Sequence, residues 1–176
     1  MQNPVAAAFD RLKAVLDRRP EFGIGEDSTA TSVWMGGTQV VSSHANGTQL
    51  TTDMPPELGG AGMHVTPGWM FRAGIAACTT TRIAMEAGVQ GIELSRLQVT
   101  AVSRSDVRGM LPMPDVDGTR IPAGPFEISL HVNIAARGVS AERLRQLVEA
   151  MHPCSPMASA VEKGVPIALT IETEAA

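Results

Sequence analysis

Residues 68–88, GWMFRAGIAACTTTRIAMEAG, most constrain what this chain can become. Small and apolar side chains follow one another at helical spacing, and Ala73, Gly74, Ala76 and Ala77 leave no wide polar face, so the run reads as a helix buried on most of its sides. Such a helix belongs between sheets or between subunits, which predicts a dimer. Thr66 is placed as its N-cap and Pro67 in its first position, after a Pro- and Gly-rich loop over residues 54–67. Cys78 lies inside the run, between Arg72 and Arg82.

The flanking sequence supplies sheets. TATSVWMG, TQVVSSHA and TQLTTD, within residues 29–53, read as strands of an antiparallel meander with Asn46-Gly47 as a hairpin turn. A strand over residues 92–104 and the long excursion DVRGMLPMPDVDGTRIPAG lead to FEISLHVNIAA, where Phe126, Ile128, Leu130, Val132 and Ile134 alternate with polar residues. Ser140 caps a helix with an apolar stripe of Leu144, Leu147, Val148 and Met151. HPCSPMASAVEKG reads as a break and a short helix. VPIALTIETE, with Val165, Ile167, Leu169 and Ile171 alternating, reads as a final strand.

At the other end, residues 4–18 form an amphipathic helix whose Val5, Phe9, Leu12 and Leu16 share one face. The order of elements predicts an α+β protein with largely antiparallel sheets, divided into an N-terminal helix and linker over residues 1–28 and a main domain over residues 29–176.

A net charge of -4, no Lys/Arg cluster and no Tyr argue against a nucleic-acid surface. No apolar run reaches the roughly 18 residues of a membrane span. The N-terminus lacks the pattern of a secretory signal, so the expected location is cytoplasmic and the two cysteines are expected to be free thiols. His44, His64, His131 and His152 fall in four different elements without ligand spacing, and the glycines of GGAG follow no strand, so neither a metal nor a cofactor is expected.

Only the thiolate form of cysteine is a good nucleophile, and a nearby cation or helix N-terminus favours it. Arg82, four residues after Cys78, shares its helical face; Arg72, six residues before, does not. Cys154 stands between Pro153 and Ser155-Pro156, at the start of a short helix. On residue type alone Cys78 also reads as a small buried hydrophobe and Cys154 as an incidental loop residue. A bond between them needs Cα atoms within about 7 Å, which only the fold can supply.

Taken together, WMGGTQV, PPELGGAGMHVTPGWM, AGIAAC, SDVRGML and HPCSPMASAVEKGVPIALTI resemble the OsmC family, which includes the organic hydroperoxide resistance proteins, over residues 29–174. The resemblance implies an intertwined homodimer in which antiparallel sheets wrap central apolar helices. It also implies a thiol peroxidase acting on organic hydroperoxides in oxidative stress defence, a peroxiredoxin-like activity regenerated by a dithiol reductant. Cys78 matches the attacking position. The resolving cysteine normally precedes a proline; here Ser155 takes that place and Cys154 comes one residue early.

Peroxidatic members carry an arginine after the Gly-Gly of the first hairpin and open the central helix with Asn-Pro-Glu. Thr38 follows Gly36-Gly37 here, and Gly68 stands in the place of the glutamate. Arg72 and Arg82 are therefore the candidate thiolate-stabilising cations, Glu57 or His64 the candidate to order the loop, and Trp69, Met70 and Phe71 the candidate substrate pocket. The alternative is a catalytically degenerate dimer that keeps the fold and binds a small hydrophobic ligand or a partner.

Overall fold

The computed structural model describes residues 3–174, so the two outermost residues at each end of the expected units lie outside it. Helix α1, Pro4–Leu16, starts at Asn3, whose side chain accepts from the Val5 N–H. Strands β1 (Ala30–Gly36), β2 (Gln39–His44) and β3 (Gln49–Thr52) form an antiparallel meander in the order β1-β2-β3. Val33 pairs with Val41 and Val40 with Thr52, and the Asn46-Gly47 turn joins β2 to β3 as expected.

Helix α2 runs Pro67–Val89, and Thr66 Oγ1 accepts from the Trp69 N–H at 3.1 Å. A Thr cap of this kind is worth about 1 kcal/mol. Strand β4, Leu94–Arg104, pairs antiparallel with β5, Glu127–Ala136. Between them the excursion holds a single short turn of helix, α3 (Val107–Met110), tied by Asp106, Arg108 and Asp115. Helix α4, Ala141–Met151, is capped by Ser140, and a 3-10 turn, His152–Cys154, leads to α5, Pro156–Lys163.

The core lies where α2 and α4 cover one face of β4–β5. Ile83, Ala87 and Leu147 are its centre, with Leu97, Val99, Val132 and Ile134 of the sheet packed against them. Ile75, Thr79, Ile83 and Ala87 recur every four residues and put one stripe of α2 into this core. Helix α1 packs on the C-terminal half of α2 through Val5 and Phe9, the first half of the apolar face predicted for it, while Leu12 of that face is exposed.

Within its own chain helix α2 is buried along one stripe, while Ala77, Thr81 and Ala84 stay exposed where no described element covers them, so burial on further sides rests on the expected second subunit. Two expectations need correction. Phe126 lies ahead of β5 rather than in its inward set: it is exposed, with the Arg104 guanidinium 5.6 Å above its ring. Residues 165–174 form no strand, and Val165, Ile167, Leu169 and Ile171 are all exposed, because no neighbouring strand receives their backbone groups.

The meander likewise packs on no other element to any extent, and Val33, Trp34 and Met35 are exposed on it. The chain exposes 13151 Å² in all. A compact monomer of 18.5 kDa exposes about 8,200 Å², so about 5,000 Å² is excess.

Candidate active site

Cys78 is half-buried near the middle of α2, and Cys154 is exposed at the end of the 3-10 turn; both are free thiols. Their chain neighbours meet. Thr79 Oγ1 and Ser155 Oγ lie 3.2 Å apart, with the two residues 1 % and 0 % exposed. The start of α5 therefore sits hard against the turn of α2 that carries Cys78. A second contact reinforces it: a Cβ added at Gly74 would stand 2.7 Å from Met157 Cε, so the end of the methionine lies directly over this glycine, one helical turn before Cys78. Ser155 points into the α2–α5 contact, whereas Cys154 stays at the surface beside it.

Neither arginine donates to the Cys78 sulfur. Arg72 Nη1 donates to Ser103 Oγ at 3.3 Å, tying the first turns of α2 to the end of β4, and no carboxylate among the described residues pairs with it. Its guanidinium also lies 3.8 Å from where a Cβ on Gly68 would be, so the cation stands at the head of the helix, beside the position where the resemblance places a glutamate. Arg82 is engaged elsewhere. Its Nη2 donates to Glu86 Oε2 at 2.9 Å and its guanidinium stacks 5.6 Å from the centre of the Phe9 ring of α1. Hydrogen bonds from Gln90 and Arg82 hold the Glu86 carboxyl below its usual range.

The approach to α2 is ordered by a residue that the sequence did not single out. Asp53, 2 % exposed, accepts from Thr38 Oγ1 at 2.5 Å, from the Met54 N–H at 2.8 Å and from the Ala61 N–H at 3.0 Å. The Thr38 bond is the main cause that lowers its pKa; the two backbone donors and the charge of His64 add to it. Asp53 N also donates to Val65 O, and a Cβ at Gly60 would fall 1.8 Å from Met54 O, so the loop fits in this form only with glycine there. Glu57 and His64, the expected loop-ordering residues, are exposed. The sequence signal was a lone carboxylate at the end of a strand, directly before Met54-Pro55-Pro56.

Trp69 and its neighbours Met70 and Phe71 lie at the start of α2, Trp69 being 48 % exposed. They line neither of the two large clefts. One, of about 510 Å³, opens between α2, β5, α4 and α5, with Ile75, Thr79, Leu130, Val148 and Ala158 on its walls and His152 and Glu162, 2.7 Å apart, on its polar side. The other, of about 610 Å³, continues along β5 and α4. Among the described residues no group of His, Cys, Asp and Glu is placed to hold a metal ion, and no helix is long and apolar enough to cross a membrane.

An α+β chain with a half-buried cysteine in a central helix, packed on a second helix that starts beside another cysteine, defines the class to which comparison then assigns it. The chain belongs to the OsmC-like protein family, whose sequence profile matches residues 59–170 and so spans everything from the loop before α2 to the end of α5 and beyond. An uncharacterized protein of Acinetobacter baylyi is 28% identical over 151 residues, covering 86% of this chain and 89% of that protein. The crystal structure of an organic hydroperoxide resistance protein from Elizabethkingia anophelis, with thiocyanate bound, is 26% identical with a TM-score of 0.58, over 78% of this chain and 89% of that one. An OsmC-like protein from Mycoplasma pneumoniae, 18% identical, shares the fold with a TM-score of 0.65 over 81% of this chain and 91% of its own.

Proposed function

We propose that this protein is a homodimeric thiol peroxidase that reduces organic hydroperoxides. The observation that carries the reading is the 3.2 Å contact between Thr79 and Ser155, which packs the helix turn bearing Cys78 against the residue that follows Cys154. The likeness to organic hydroperoxide resistance proteins supports the substrate class.

The Cys78 thiolate attacks the outer oxygen of the hydroperoxide, the O–O bond breaks, and the alkoxide leaves and is protonated to the alcohol. The resulting sulfenic acid condenses with the Cys154 thiol, expelling water and forming a disulfide. A dithiol reductant returns both thiols and is itself oxidised to its disulfide. Arg72 is the better candidate for the cation, since Arg82 is already neutralised by Glu86. Trp69, Met70 and Phe71 stand beside Arg72 at the head of α2 as the entry for the apolar part of the substrate.

The test is consumption of cumene hydroperoxide with a dithiol present. The parent turns over and Cys78→Ser does not; equal rates in the two would end this reading. Mass spectrometry after one equivalent of hydroperoxide shows the parent lighter by two hydrogens and Cys154→Ser carrying one added oxygen. A second reading, a non-catalytic dimer that binds a small hydrophobic ligand, is favoured by the mainly apolar cleft between α2, β5, α4 and α5 and predicts two unreacted thiols in that experiment.

A further inference from the structure

The Arg82–Glu86 pair is arranged less favourably than its short distance suggests. On a helix an ion pair four residues apart is better with the acid N-terminal to the base, and here the order is reversed. Glu86 also sits in the last turns of α2, where the helix dipole disfavours a negative charge. The two side chains are only 20% and 18% exposed, and Arg82 Nη1 is buried with no hydrogen-bond partner among the described residues. An unpaired buried N–H of a charged group is a standing cost.

Besides Glu86, what holds the guanidinium there is α1. Phe9 lies over it, and α1 is docked through Asn3 and Val5 on Gly88, where an added Cβ would come within 3.3 Å of both. The same arginine has a second neighbour at equal helical spacing in the other direction, Cys78, four residues before it. Reaching back along the helix from Arg82 to a thiolate at Cys78 gives the better order, anion first.

We propose that α1 is a positioning element for the thiol: Phe9 and Glu86 draw Arg82 away from Cys78, and displacement of α1 delivers that guanidinium, with its unpaired Nη1, to the Cys78 sulfur. The other ionisable groups on the elements packed against α2 are Asp10, Arg11 and Lys13 of α1, Arg96 and Arg104 of β4, Glu142, Arg143, Arg145 and Glu149 of α4, His152 and Cys154 of the 3-10 turn, and Glu162 and Lys163 of α5, with His152 and Glu162 bonded to each other. This inference rests on Cys78 as the reacting thiol, but its test reads alkylation and not peroxide turnover, so the two readings fail separately.

The measurement is the pH profile of Cys78 alkylation by iodoacetamide, resolved by peptide mass spectrometry, in the reduced full-length protein. Phe9→Ala and Glu86→Gln each shift the profile to lower pH, by about one unit, a tenfold rise in thiolate fraction below the midpoint. The shift disappears when either change is made in an Arg82→Met background. Faster alkylation that persists with Arg82→Met means that the changes act by opening access, and overturns the proposal. So does an unchanged profile in Phe9→Ala with its circular dichroism intact. If Glu86→Gln fails to fold, Phe9→Ala alone decides.

Discussion

A carboxylate that is nearly out of water and accepts three bonds, as Asp53 does from Thr38, Met54 and Ala61, links the order of a loop to pH. Its pKa in the fold lies below the value of about 3.9 expected for the unfolded chain. The unfolded state therefore binds the proton more readily, and the stabilisation is complete above that value and is lost as pH falls through the folded pKa. Between neutral pH and about pH 3, the parent should lose more unfolding free energy than Asp53→Asn, measured by urea titration at both pH values. Equal losses would show that the carboxylate contributes nothing through its charge. In the core, Ile83 is 0 % exposed at the centre of the α2–α4 contact, and Ile83→Ala should cost about 2–5 kcal/mol in the same measurement.

At the scale of elements, the join between α2 and α5 sets how the two cysteines work together. Ser155 lies at the position where the resemblance expects the resolving thiol, and its side chain is already turned to Thr79. Moving the thiol there, in a Cys154→Ser/Ser155→Cys chain, should speed disulfide formation with Cys78 after peroxide, read by quenched-flow alkylation and mass; a slower step would show that the exposed Cys154 is the better-placed partner. None of this contact was legible in the sequence, because Thr79 and Ser155 are 76 residues apart and no local pattern links the two. What was legible was local chemistry. Thr66 and Ser140 cap helices because their side chains precede apolar helical runs, and Asn46-Gly47 turns β2 into β3 because it lies between alternating segments. The segment Val165–Ile171 shows where that reasoning stops. Its alternation is as regular as that of β5, but a strand also needs a neighbour to accept its hydrogen bonds, and a pattern cannot say which chain supplies one.

For the whole molecule, the excess surface of about 5,000 Å² per chain is well above the roughly 800 Å² that each partner buries in a standard protein interface. It includes β1, with Trp34 71% exposed, and the C-terminal segment, with Ile167 94% and Leu169 81% exposed. Light scattering should give about twice the chain mass of 18.5 kDa, and Ile167→Asp/Leu169→Asp should shift the population toward the monomer. A monomeric parent at micromolar concentration would contradict the dimer. The projecting meander also bears on how the protein reaches its final form. β1–β3 finds almost nothing to rest on within its own chain, and in the proposed dimer it completes its packing against the second chain. Refolding should then contain a second-order step, with a half-time that shortens in proportion as more chains are present, and at high dilution the protein should stall with α2 and α4 formed on β4–β5 and the meander still searching for its partner.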